Sequence, residues 1–287
     1  MDAMTHMPAA FLGHGSPMNA IERNRYTEAW RAIGAAVPHP RAILMVSAHW
    51  YVPTVAVTAM ARPRTIHDFF GFPKPLFDVQ YPAPGLPELA EEVAEVAKPD
   101  HVGADHDGWG LDHGTWSVLV HAFPDADVPV VQLSIDQRKP PEWHLEMGAR
   151  LAALRQRGIL VMGSGNVVHN LRAIDWQRED HGADWAQRFE EHATRVLSER
   201  PGDAASLVEH PDYAMAVPTP DHFLPVLYVA GFAAATGQNL DQPVTGYAYG
   251  SLSMTSHTAG VPCPETAKGL PGAAPVGTDV PPEESNL

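Results

Sequence analysis

One cysteine, Cys263, occurs in 287 residues. That excludes an internal disulfide framework and a cysteine-built zinc site. Positive charge is also scarce, with 19 Lys and Arg against 34 Asp and Glu and a formal net charge of -15. No basic stripe is present to follow a nucleic-acid backbone or an anionic membrane surface. No apolar run is long enough to cross a bilayer. The opening Met1-Asp2-Ala3-Met4-Thr5-His6 lacks the basic and apolar regions of a signal peptide, so a cytoplasmic protein is expected. Three catalytic signatures are missing as well. There is no Walker A sequence, no Gly-x-Gly-x-x-Gly after the first strand, and no Gly-x-Ser-x-Gly around Ser16 or Ser164. What the chain does have is histidine and proline, 16 and 28 residues, in a background 45% hydrophobic and 18% charged. That background suits a soluble globular fold with a large core. Histidine is the usual neutral ligand of divalent transition metals.

Apolar runs of strand length alternate with helix-period segments. Residues 8–13, 42–47, 55–59, 128–133 and 158–165 read as strands, and the run Ala42-Ile43-Leu44-Met45-Val46-Ser47 has the continuous apolarity of a strand covered on both faces. Helices are expected over 21–37, 87–96, 142–155, 185–200 and 223–235, with Asp221 or Pro220 opening the last. Residues 246–254 alternate as a strand does. This pattern predicts an α/β fold, a mostly parallel central sheet flanked by helices, in a single domain over residues 1–261. Residues 262–287 are rich in Pro, Gly and Glu and are expected to form a mobile tail. Long Pro/Phe/Gly loops at 61–85 and 105–113 place Phe69, Phe70, Phe72 and Trp109 where they could wall a pocket.

Three buried strands run into histidines: Gly13-His14-Gly15, Ala48-His49-Trp50, and Gly163-Ser164-Gly165-Asn166-Val167-Val168-His169. A single histidine in that position is well read as a hydrogen-bonded rim residue. Three in one structural role point to a shared site, since ligands of such sheets bind beyond the carboxyl ends of the strands. His222 begins a helix after a Pro-rich loop, which from spacing alone fits a ligand or a helix-terminal residue equally. His113 adjoins Asp112, a carboxylate able to fix its tautomer for proton transfer. His106 reads as solvated, and His67 and His210 lie in loops that could border a pocket. His6, His39, His101, His144, His181, His192 and His257 read as surface or packing residues.

Five motifs then occur in order over about residues 8 to 256: Gly13-His14-Gly15-Ser16-Pro17-Met18, Ser47-Ala48-His49-Trp50, Leu111-Asp112-His113-Gly114-Thr115-Trp116, Gly163 to Leu171, and Pro220-Asp221-His222-Phe223-Leu224-Pro225. The set resembles the DOPA-dioxygenase branch of the class III extradiol ring-cleaving dioxygenases, the LigB-like superfamily. The resemblance implies a non-haem metal at the carboxyl rim of the strands, Fe(II) for catalysis with Zn(II) able to take its place. It implies His14, His49 and His222 as metal ligands, His169 as a further ligand or the acid/base residue or both, and His113 as a second catalytic histidine. His222 stands where the wider superfamily tends to have a carboxylate, which makes an all-histidine site that also suits zinc. The implied reactants are a catechol such as L-DOPA and O2, giving a muconic semialdehyde, with no nucleic-acid or membrane partner and a monomer or small homo-oligomer. The alternatives are a zinc hydrolase on the same residues and a non-catalytic metal-binding protein like the Memo proteins.

Overall fold

The computed structural model describes residues 6–262, 269–274, 280–281 and 285–286. Its named elements in chain order are β1 (Ala9–Gly13), α1 (Arg25–Ala36), β2 (Ala42–Val52), β3 (Ala56–Thr58), α2 (Lys74–Phe77), α3 (Pro87–Val96) and β4 (Gly103–Asp105). Then come α4 (His113–Ala122), β5 (Val130–Asp136), α5 (Pro141–Leu151), β6 (Ile159–Gly165), α6 (Asp184–Glu199), α7 (Tyr213–Ala216) and α8 (Leu224–Ala235). The chain closes with β7 (Asp241–Val244), β8 (Tyr247–Ala248), β9 (Leu252–Ser253) and β10 (Ser256–Ala259).

Eight strands form one sheet in the order β4-β3-β5-β2-β6-β1-β10-β7. The central β5-β2-β6-β1 pairings are parallel, as the expected class requires. Antiparallel pairings add β10 and β7 at one side and β3 at the other. Side-chain alternation along the central strands feeds two cores. Phe11, Leu44, Val46 and Val161 face the layer of α5, α6 and α8. Leu12, Ile43, Met45 and Met162 face the layer of α1 and α4. Residues that look uniformly apolar in sequence therefore serve both faces, which is why these strands read as unbroken hydrophobic runs.

Several boundaries differ from expectation for identifiable reasons. Helix α1 begins at Arg25, because Asn24 accepts from the Tyr26 and Thr27 amides and Thr27 closes a capping box. The apolar segment after His113 is helix α4, capped by Asp112 through the Thr115 amide. Residues 246–254 form a short hairpin of β8 and β9, broken by positive φ at Tyr249 and Gly250. Asp221 does not cap α8, whose N-cap is Phe223. Phe69 and Phe72 are core residues, while Phe70 is exposed. Much of the expected tail, including Cys263, lies outside the described residues. Within them, the Pro271 carbonyl accepts from the Arg25 amide at 3.1 Å and the Ala274 amide donates to Asn19 Oδ1 at 3.0 Å.

Candidate metal centre

His14 is the first residue after β1. Its amide donates to the Gly165 carbonyl of the neighbouring β6, and its carbonyl accepts from Asn19 Nδ2. His49 lies inside β2, beyond the last pair with β6 (Ser47 opposite Ser164) and within the stretch where pairing to β5 shifts register between Val46 and Tyr51. Such an irregularity re-aims a side chain out of the regular alternation. His113 is the first residue of α4. His169 follows β6, its amide held by the Ala216 carbonyl. His222 precedes α8, and its carbonyl accepts from the Asn166 amide. The parallel strands and the helices between them thus deliver five imidazoles from five separate segments.

They converge. Ring centroids are 5.2 Å apart for His14 and His49, 5.2 Å for His14 and His222, and 5.0 Å for His49 and His222. His169 stacks on His222 at 3.6 Å with the rings 1° from parallel. His113 lies 3.8 Å from His49, centroid to centroid. The tightest donor group is His14, His49 and His113, with one ring nitrogen from each lying within 4.8 Å of the others. The structure therefore brings together every histidine singled out from the motifs. It puts His113 inside the donor group and leaves His222, expected as the third ligand, outside it. His67, His106 and His210 stand apart: His67 bonds the Val79 carbonyl, His106 is exposed, and His210 accepts from the Asp212 amide. His144 and His257 are fully buried packing residues.

Four of the five rings have an oxygen beside Nδ1. Ser164 Oγ donates to the Gly114 carbonyl, so it must accept from His14 Nδ1, 2.8 Å away. That assigns the Nδ1–H tautomer to His14 and leaves Nε2 as a free donor to a cation. Asp221 takes His222 Nδ1, with the same result, and His222 Nε2 is buried without a partner. Asp68 spans two rings. Its Oδ1 accepts from the His113 amide at 2.8 Å and sits 3.0 Å from His113 Nδ1, and its Oδ2 is 3.7 Å from His49 Nδ1. The His113 contact is a close approach without the alignment of a hydrogen bond, so both nitrogens of that ring lack one. Such carboxylate–histidine pairs are the usual outer shell of a metal site.

The carboxylate that reaches His113 is thus Asp68 and not its neighbour Asp112. Adjacent residues at a helix start do not face each other. Asp112 turns back to accept from Ser47 Oγ at 2.7 Å, Trp109 Nε1 at 3.2 Å and Gln132 Nε2. Burial, with Asp68 adding to it, pushes Asp112 up to about 6. Sequence reasoning missed Asp68 and Ser164, because nothing in spacing places a loop aspartate or a strand serine against a distant imidazole. Phe69, expected as pocket wall, packs edge-on against His113 at 5.5 Å and closes that ring's far side.

Burial, reinforced by the neighbouring imidazoles, holds His14 and His49 well below the usual histidine value. His169 is lowered in the same way, by burial first and then His222. Burial opposes ionisation of Asp68 and Asp221, but the adjoining His113 and His222 more than offset it, and both carboxyls stay low. His14, His49 and His169 are therefore held as neutral imidazoles, the protonation state that ligates a metal. His49 Nε2 lies 3.3 Å from His14 Nε2; with His14 as the Nδ1–H tautomer, His49 Nε2–H can donate to it, and a bound cation would take that proton's place between the two nitrogens. The donor set fits a late first-row divalent ion.

A family model described as the catalytic LigB subunit of aromatic ring-opening dioxygenase matches residues 2–255. A protein of Escherichia coli (strain K12) named 4,5-DOPA dioxygenase extradiol is 50% identical over 257 residues, covering 88% of this chain and 94% of its own. A Beta vulgaris protein of the same name is 34% identical over 260 residues, covering 86% and 96%. The crystal structure of an uncharacterized Escherichia coli K12 protein superposes with a TM-score of 0.78 at 44% identity, covering 88% of this chain and all of that one.

Proposed function

Since the chain belongs to the LigB family of aromatic ring-opening dioxygenases, we propose that it opens a catechol such as L-DOPA beside its two hydroxyls, consuming O2 and giving a muconic semialdehyde. The observation that carries this reading is the convergence of five imidazoles, two of them with a buried, unpartnered Nε2. A binding-only site has no use for more histidines than ligands. A ring-opening enzyme needs ligands and proton carriers together.

His14, His49 and His222 would hold the metal at the carboxyl ends of the parallel strands, with His169 as a further ligand, an acid/base residue or both. Fe(II) is the catalytic ion in this reading, and Zn(II) can take its place. When bound, the metal supplies Lewis-acid activation of the catechol oxygens and a place for O2. The remaining work falls to the chain. His113, with Asp68 beside Nδ1, accepts a hydroxyl proton at Nε2 and is stabilised as the imidazolium by the Asp68 charge. His169, stacked on His222, is placed to hold and return a second proton. Acid/base help of this kind is worth about a hundred- to ten-thousand-fold. The side of His113 packed by Phe69 is closed to water. A second ligand set, His14, His49 and His113, is favoured by the 4.8 Å donor group. Metal content of the His113→Ala and His222→Ala proteins separates the two sets.

Oxygen uptake with L-DOPA by anaerobically prepared apo-protein, reloaded separately with Fe(II) and Zn(II), tests the activity. Uptake with Fe(II) alone, matched by a yellow product, is expected. No uptake with either ion across several catechols would overturn the reading in favour of a hydrolase or a binding protein.

A further inference from the structure

A cavity of about 180 Å³ opens beside the histidine cluster, lined by His169, Asn170, Leu171, Arg172, Pro218 and Thr219. Apart from the imidazole, Arg172 is the one charged residue of that lining. Its backbone is fixed: the Arg172 amide donates to Asn170 Oδ1 at 3.1 Å, and Asn170 is tied to the Ser251 carbonyl by its amide and to the Met215 carbonyl by Nδ2. Its guanidinium is exposed, and among the described residues it has no carboxylate within ion-pair distance. Arg25, Arg150 and Arg188 are instead each held by an aspartate. A rigid backbone with an unengaged planar cation at the rim of a reactive cavity is the arrangement that recognises a carboxylate, two N–H groups to two oxygens.

Charge sharpens the point. A chain of net charge -15 repels anions in general, so an anionic substrate needs a local cation to enter. We propose that Arg172 is the specificity residue of the ring-opening site, binding the carboxylate of catechols that carry an acid on a short side chain. The inference rests on the ring-opening reading above and names the substrate class within it. A catechol with only an amine gains nothing at Arg172, and a catechol with neither group is indifferent to it.

The test uses the full Fe(II)-loaded chain with four catechols: L-DOPA, 3,4-dihydroxyphenylpropionate, dopamine and 4-methylcatechol. Arg172→Gln is expected to raise KM for the two acids about ten- to a hundredfold, the worth of a charge-assisted pair, with kcat little changed. Dopamine and 4-methylcatechol should keep their KM, and Arg172→Lys should restore part of the loss. A KM change shared by all four catechols, or none at all, would overturn the assignment. Anaerobic calorimetric titration of 3,4-dihydroxyphenylpropionate and 4-methylcatechol decides the matter even if no catechol is turned over. A preference for the acid that disappears in Arg172→Gln sustains the role of Arg172 while the ring-opening reading fails, and no preference removes both.

Discussion

A serine hydroxyl has one proton to give, and Ser164 gives it to the Gly114 carbonyl. That single fact sets the tautomer of His14 and aims its Nε2 at His49. Asp68 acts similarly on two rings at once. Asp68→Asn keeps an oxygen for the His113 amide but removes the charge that would stabilise the protonated ring. We expect a ten- to hundredfold fall in metal affinity or turnover, typical of lost outer-shell partners, read by metal titration and oxygen uptake. An unchanged protein would mean that Asp68 only braces the loop. Far from the cluster in role, Glu190 of α6 is buried, and burial pushes its carboxyl up to about 7 against the opposing Thr255 and Ser253 hydroxyls. Its folded value lies above the unfolded 4.5, so the stability it contributes is full below 4.5 and is lost as pH rises through 7. Glu190→Gln should flatten that part of the urea-midpoint profile, by up to about 3 kcal/mol at pH 8 for a shift of this size. Parallel profiles for both proteins would refute it. At this scale the histidines were legible, because each ends a buried apolar run or sits in a local Gly- or Pro-marked motif. Asp68 and Ser164 were not, because their partners lie 45 and 150 positions away.

Helix α4 reaches the cluster only because its second residue is glycine. A Cβ at Gly114 would lie 2.5 Å from Ser47 Oγ and 2.6 Å from His49 Cδ2. Helices α5 and α8 meet just as closely, where a Cβ at Gly148 would lie 2.0 Å from the Tyr228 carbonyl oxygen. Overpacking at either place costs about 1–3 kcal/mol. The two glycines should nonetheless separate. Gly114→Ala is expected to lose metal affinity as well as thermal stability, since His49 must move. Gly148→Ala should lose thermal stability while retaining metal. Equal metal loss in both would show that the cluster tracks global stability rather than the α4 contact. Elements with strong local signals were readable in sequence: the buried central strands, and α3 and α6 with their polar faces. The missed strands β4, β7 and β10 are three or four residues long and exist through pairing with distant partners, so no local period marks them. Register is a property of the assembled sheet.

At the scale of the whole molecule, the cluster joins segments from residue 14 to residue 222, so whatever binds it ties the fold together. A ligand of the native state alone adds RT ln(1 + [L]/Kd), about 2.7 kcal/mol at a hundredfold excess over Kd. At pH 8 the Zn(II)-loaded chain should therefore melt several degrees above the EDTA-treated chain, at roughly 2–4 °C per kcal/mol for a domain of this general size. His14, His49 and His169 are held below the unfolded value of 6.5, chiefly by burial. Below pH 6.5 the unfolded chain therefore takes up protons that the native cluster refuses, and native stability declines as pH falls. Protons also compete with the cation for the same nitrogens. The melting gap between loaded and stripped protein should then narrow from pH 8 to pH 5.5, and it should vanish at both in His14→Ala. A gap that persists in His14→Ala, or one indifferent to pH, would place the stabilising cation somewhere other than among these imidazoles.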